Sequence, residues 1–470
     1  MPTNEQQGGD SIQAESSPKA INLLKIRDDH EPVRFEVAEE GKFNLCEGVD
    51  AQWVSAGEFG FKELRSRIEP WLTSLFQSEH LSLLVGSGLT HAVHGIATGK
   101  PAAGMLGSVS DGRFKKKIHA AARASAKAAG RDQSNVEDQI RIANELLRGL
   151  EVFGADKHAH ALREDLSKAL LDFAQSILKS EAGIAAAAEA HRKNAFNGLV
   201  TFLMSFASRT GTRDRLHIFT TNYDRLIEAG AELAGLHLLD RFLGNLTPIF
   251  RSSRLDLDMH YNPPGIRGEP RYLEGVARFT KLHGSVDWVQ ADKDIRRLGL
   301  PFGAEDVGPY LKAPGLAGAS PHQLMIYPNA AKDRETSDYP YVELFRDLAA
   351  AVCRPNSTLV TYGYSFGDEH INRVIRDMLT IPSTHLVVIS RDDNLGRILP
   401  LAKERNSQVS LLVGPQLADL TTLTEYFLPK AAIDRATFRM SELLKQRHGA
   451  EFLPQQKSKG EGQAEMGAEA

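Results

Sequence analysis

A chain of 470 residues that is 42% hydrophobic and 25% charged can bury a substantial core. It is too long for most single compact domains, so one large domain with an insertion, or two domains, is expected. The 56 Lys and Arg against 60 Asp and Glu leave a net charge of -4, which gives no sign of nucleic acid or an anionic membrane as a partner.

Residues 1–20 and 454–470 are rich in Gln, Gly, Ser, Glu and Ala and poor in large apolar side chains, so both tails are expected to be disordered. The N-terminus lacks the apolar stretch of a signal peptide and no apolar run is long enough to span a bilayer. Cys46 and Cys353 stand alone, too few for a disulfide framework or a four-cysteine zinc ribbon. A reducing cytoplasm is the expected compartment. INLLKI and VRFEV, within residues 21–60, read as strands added to a sheet edge. LSLLVGSG, ending at Gly88, reads as a buried parallel strand turning toward a helix. From 113 to 209 the chain is rich in Ala, Lys, Arg, Glu and Leu, with apolar residues at helical spacing, and predicts an inserted set of helices. Leu216–Asp224 then reads as a strand and a helix start, and VARFTKLHGS as a strand ending at Ser285. QLMIYPN (323–329) reads as another strand, followed by the helix VELFRDLAAAV. STLVTYGYSFGDEHINRVIRDML is strand, glycine-containing turn and helix; THLVVISRDD is a strand; QVSLLVGPQLADLTTLTEYFL is a last strand and helix. The expected fold class is therefore α/β, a doubly wound Rossmann-like parallel sheet with a helical insertion.

In such sheets ligands bind at the carboxyl ends of the strands. Gly86-Ser87-Gly88, Thr221-Asn222-Tyr223-Asp224, His283-Gly284-Ser285 and Gly363-Tyr364-Ser365-Phe366-Gly367-Asp368 all follow expected strands. Each has a plain structural reading: turn glycines, a turn asparagine, a helix-capping aspartate, a structural histidine. Together, in this order and at one rim, they point to a ligand site.

Gly86-Ser87-Gly88, TNYD and KLHGS resemble the three signatures of sirtuin domains. TTNYD, KLHGSVDW and GYSFGDEHIN are similar, more narrowly, to bacterial sirtuin-like proteins that degrade NAD in antiphage defence. The similarity runs discontinuously from Leu81 to Asp393. It implies a sirtuin-like NAD-binding domain over 21–453 with NAD as substrate; the two cysteines, Cys46 and Cys353, predict that no metal is bound. It implies that Gly86, Ser87 and Gly88 approach the pyrophosphate at a helix N-terminus, with Gly363 and Ser365 lining the phosphates. It places Asn222 at the nicotinamide ribose with a water, Thr221 beside it among the ligand-binding residues, Asp224 near the same ribose, and His283 as the base. Ser390 and Arg391 fall where the adenosine half is held. Nicotinamide leaves as a neutral pyridine through an oxocarbenium-like transition state, so positioning and a base or dipole at the sugar suffice.

Sirtuin deacylases carry a glutamine where this chain has Thr221, a glycine–isoleucine–proline–x–phenylalanine–arginine stretch where it reads THAVHGIATGKPAAG, and a zinc module that two cysteines cannot build. These differences point away from peptide deacylation and toward water as acceptor: an NAD glycohydrolase releasing nicotinamide and ADP-ribose. A non-catalytic NAD or ADP-ribose sensor, and an assembly subunit with a vestigial pocket, stay open as alternatives. The resemblance further implies a homo-oligomer working with a HerA-type ATPase; the insertion, placed between the glycine turn and the Asn222 strand, is expected to cover the crevice or join subunits, or else to act as a passive helical cap on the sheet face.

Overall fold

The structure, a computed structural model, describes residues 21–430 except 27–28, 55–57, 103–111, 129–130, 132, 209–213, 262–270, 317–318, 320–322 and 327–338. Both tails expected to be disordered, part of THAVHGIATGKPAAG and the end of QLMIYPN lie outside the described residues. The chain divides into two units, Met1–Pro429 and Lys430–Ala470, and the architecture below is that of the first.

Strands β1 (Ile21–Lys25), β2 (Val33–Glu39), β3 (Lys42–Leu45) and β4 (Glu58–Gly60) form an antiparallel meander. Helix α1 (Phe61–Phe76) leads into β5 (His80–Val85) and α2 (Ser87–Thr98). Four helices follow: α3 (Lys115–Ala128), α4 (Val136–Val152), α5 (Asp156–Ala185) and α6 (Glu189–Ala207). Then come β6 (His217–Thr220), α7 (Leu226–Ala234), β7 (His237–Leu239), β8 (Val276–Lys281) and β9 (Gly284–Ala291). The chain continues with α8 (Tyr341–Val352), β10 (Ser357–Tyr362), α9 (Glu369–Met378), β11 (His385–Ser390), α10 (Ile398–Glu404) and β12 (Val409–Val413).

The central sheet has the order β4-β3-β2-β1-β12-β11-β10-β5-β6-β8-β7. The seven strands from β12 to β7 are parallel, and β1 joins antiparallel to β12 through Leu24 and Leu412. The mixed α/β architecture with a mostly parallel sheet is the expected Rossmann-like fold, and the meander extends one edge. Successive strand residues feed opposite faces: Leu83, Val85, Val360, Tyr362, Val387 and Ile389 pack with α1, α2 and α6. Leu84, Leu359, Leu386 and Val388 pack with α8, α9 and α10. With helices on both faces, every exposed position on these strands is lost, which is why they read as continuous apolar runs.

Two features differ from the sequence reading. Of the inserted helices, α6 lies on the central sheet through Leu199, Phe202, Leu203 and Phe206. Only α3, α4 and α5 form a separate cluster, built on Ile118, Ile140, Leu166 and Phe173 with Val286 and Val289 of β9. Second, β9 belongs to a small antiparallel sheet of Leu324–Ile326, Gly284–Ala291, Asp294–Arg297, Ile249–Phe250 and Phe242–Leu243. The strand expected at QLMIYPN is thus in this second sheet, paired with β9, and not in the parallel one. Short strands between turns do not reveal by periodicity which sheet they join.

Candidate active site

From β5 the chain proceeds to β6 on one side, while from β10, the other neighbour of β5, it proceeds to β11 on the opposite side. The two loops leaving β5 and β10 therefore diverge, opening a crevice at their carboxyl ends. Glycines make this meeting possible. Gly86 N donates to Tyr362 O at 3.0 Å and Gly88 N to Gly363 O at 3.1 Å. A Cβ on Gly88 would sit 2.5 Å from Gly363 Cα, and one on Gly86 would sit 2.7 Å from Tyr364 Cα. Gly363 itself has φ +59°, the left-handed region that L side chains disfavour. Ser87, directly after Gly86, opens helix α2 with no side-chain cap.

The next strand end, Thr221–Asp224, is bolted to this crossing. Thr221 N donates to Val85 O at 3.1 Å. The buried Asn222 amide donates through Nδ2 to Gly86 O at 2.9 Å and to Thr90 Oγ1 at 3.0 Å. Thr90 passes its own hydroxyl hydrogen to Asp224 Oδ2, and Asp224 Oδ1 accepts from Leu226 N, the first N–H of α7, at 3.1 Å. The relay is directional: both amide hydrogens of Asn222 are used, which leaves its carboxamide oxygen as the acceptor available to a ligand. Lys281, fully buried at the end of β8, donates to Asp224 O and lies 3.0 Å from Glu228 Oε1. The lysine of the KLHGS motif thus braces the loop from behind. Burial pushes the Glu228 carboxyl up, with Lys281 opposing the shift.

His283 follows β8. Its Nε2 is 2.8 Å from Oδ2 of Asp368, a buried residue at the N-cap of α9. The other carboxylate oxygen accepts from His370 N at 3.0 Å and Ile371 N at 3.5 Å. The Tyr223 ring lies 6.3 Å from the His283 ring, and its hydroxyl donates to Glu137 of α4 at 3.1 Å. Burial, reinforced by Glu137, holds the Tyr223 phenol well above its ordinary range, so it stays a donor.

These groups line two adjoining cavities. The first, about 320 Å³, is walled by Gly86, Thr90, Thr221, Asn222, Asp224, His283 and Asp368, with Arg131, Glu137 and Phe173 from the insertion on the same wall. The second, about 720 Å³, is walled by Gly88, Gly363, Ser390, Arg391, Lys100 and Asp419. Ser87, His91 and Ser365 line both and mark the junction at the glycine crossing. Partial burial, then the neighbouring His94, lowers the His91 pKa, with Asp224 opposing. A neutral imidazole therefore stands at the junction at neutral pH. Ser390 Oγ donates to Asp392 O at 2.8 Å and accepts from Asn394 Nδ2 at 2.9 Å, shaping the turn after β11.

The insertion is anchored to the same loop. Arg225, next to Asp224, forms a buried ion pair with Glu181 of α5; Glu181 Oε1 also accepts from Arg225 N at 2.7 Å. Burial penalises the Arg225 charge, but Glu181, together with Asp287 and Glu228, holds it above its ordinary value. Glu181→Ala is expected to strand this buried cation and cost roughly 3–5 kcal/mol, read as a lower midpoint in chemical denaturation; an unchanged midpoint would contradict the anchoring role.

The structure thus brings Gly86, Ser87, Thr221, Asn222, Asp224, His283 and Ser365 to one cavity and Gly88, Gly363, Ser390 and Arg391 to the next. Sequence reasoning gave no role to Thr90, Arg131, Glu137 and, above all, Asp368, which it placed only in the turn after a strand. The position of Asp368 before an amphipathic helix signals an N-cap, but no spacing rule ties it to His283, 85 residues away. Among the described residues no group of three or more His, Cys, Asp or Glu side chains is placed to hold a metal ion. No described helix is long and apolar enough to cross a membrane. No curated protein matches the chain. The family model of the SIR2-like domain matches residues 216–410, a span that holds Asn222, Asp224, His283, Gly363, Ser365, Ser390 and Arg391 but starts after the β5–α2 glycines. That match supports a sirtuin-like domain within this chain.

Proposed function

We propose that this protein is an NAD glycohydrolase that transfers the ADP-ribosyl group of NAD to water. The observation that carries the reading is the single wall that unites Asn222, Asp224 and His283 at the switch point of a sirtuin-like domain. The dinucleotide would run through both cavities, with its pyrophosphate at the glycine crossing and the N-terminus of α2. The nicotinamide riboside half would lie in the first cavity and the adenosine half near Ser390 and Arg391. Neutral nicotinamide needs no acid to leave. The Asn222 oxygen, fixed by the relay through Thr90 to Asp224, would accept from the attacking water or a ribose hydroxyl. His283 would take the proton as the carbon–oxygen bond forms.

Water is favoured over a peptide amide because α4 and α5 of the insertion contribute to the wall of the first cavity, where a deacylase needs an open groove for its acyl-lysine strand. The test is nicotinamide release from NAD with and without an acetyl-lysine peptide. Equal rates are expected; release that depends on the peptide would return the reading to deacylation. The purified protein is also expected to be a homo-oligomer with low resting turnover that a co-expressed HerA-type ATPase raises. The Glu181–Arg225 pair offers a route by which assembly on the insertion reaches the Asn222 loop. A monomer with full activity alone and none gained with the partner would rule this out.

A further inference from the structure

We infer that Asp368 is a positioning residue that fixes the tautomer of His283, keeping the proton on Nε2 and making Nδ1 the ring's acceptor. The inference rests on the hydrolase reading for its kinetic consequence but not for the tautomer itself. Asp368 is 5% exposed. One of its oxygens is committed to the first-turn N–H groups of His370 and Ile371, where a carboxylate is stabilised by the helix N-terminus. The other oxygen, held rigidly by that cap, sits 2.8 Å from His283 Nε2. An ionised carboxylate only accepts, so in the neutral ring Nε2 must donate, and Nδ1 is left with its lone pair. That nitrogen is the one able to take a proton from a ribose hydroxyl or water, and the carboxylate then faces the imidazolium that forms. Tyr223, the other ring beside His283, has its hydroxyl committed to Glu137 and does not compete for Nε2.

The cap makes a sharp test. In Asp368→Asn the oxygen must stay where it accepts from His370 and Ile371, because the amide nitrogen cannot accept. The NH₂ group is then aimed at His283 Nε2, and the ring is driven to carry its proton on Nδ1. The substitution is nearly isosteric and keeps the cap, so a structural role alone predicts little change. Asp368→Ser also caps α9 but leaves Nε2 without a directing partner, so both tautomers form.

Long-range proton–nitrogen NMR on the full chain labelled at histidine, with His283→Gln to identify the signal, is expected to show protonated Nε2 in the wild type and protonated Nδ1 in Asp368→Asn. With NAD as substrate, kcat of Asp368→Asn is expected to fall roughly 10²–10⁴-fold at nearly constant KM, with Asp368→Ser losing less. A wild-type ring protonated on Nδ1 would overturn the assignment, and so would an unmoved proton in Asp368→Asn. Equal losses in the Asn and Ser variants would overturn its kinetic consequence. If the wild type releases no nicotinamide, the hydrolase reading falls, while the NMR comparison still decides the tautomer.

Discussion

Asn222→Ala and His283→Ala are each expected to abolish measurable release of nicotinamide from NAD while the protein stays folded. Removing a general base costs roughly 10²–10⁴-fold, and removing a preorganised dipole at the reacting centre costs about 10²–10³-fold. The Asn222 amide has two jobs. Its nitrogen ties the β6 loop to Gly86 O and Thr90 Oγ1, and its oxygen is left for the ligand. Alanine removes both, so the loss should exceed that of a lone dipole. Asn222→Asp separates the jobs poorly, because it sets a carboxylate oxygen against Gly86 O, and it should be as inactive as alanine. Asp224→Ala is expected to lose less activity, since Asp224, although it lines the cavity, spends one oxygen on Thr90 and the other on the first-turn N–H of Leu226. Either alanine variant retaining full turnover, with a wild-type circular dichroism spectrum, would remove that residue from the mechanism.

Gly86→Ala is expected to have the largest effect on stability. The added methyl would run into the Gly363 carbonyl oxygen and would lie 2.7 Å from the Tyr364 Cα. Both belong to the backbone of a neighbouring strand end and cannot rotate away. Overpacking of ordinary side chains costs about 1–3 kcal/mol; a clash of backbone with backbone at the central strand pair should exceed that range. Gly95 in the same helix, α2, is the control, because a Cβ there meets nothing within 4 Å. Gly95→Ala should stabilise by up to about 1 kcal/mol through helix propensity. Denaturant midpoints of the two variants decide the matter: a Gly86→Ala protein as stable as Gly95→Ala would mean that the β5 and β10 loops do not cross as closely as described.

The parts of the fold that were legible are those where physics writes a local signal. LSLLV, STLVTY and HLVVIS are short, mostly apolar runs, buried along their whole length because helices cover both faces of the sheet, and each ends at the rim where glycines and small polar residues collect. That was enough to bring the strand-end residues to the rim, though not the helix and insertion residues that complete the two cavities. What was not legible depends on contacts between distant segments. Nothing in the composition of 113–209 separates α6, which covers the central sheet, from α3, α4 and α5, which pack on β9. The entry of Arg131 and Glu137 into the first cavity follows from how those helices dock, a property of tertiary packing. Thr90 and Asp368 each have a complete local explanation, one as a helix residue and one as a cap, and only the folded chain shows the second partner of each.

The most direct test is to incubate the purified chain with NAD and separate the products by chromatography. Nicotinamide and ADP-ribose are expected in equal amounts, rising with time and absent with Asn222→Ala. Intact NAD recovered after it has bound the protein would contradict hydrolysis and leave a nucleotide-binding sensor in its place.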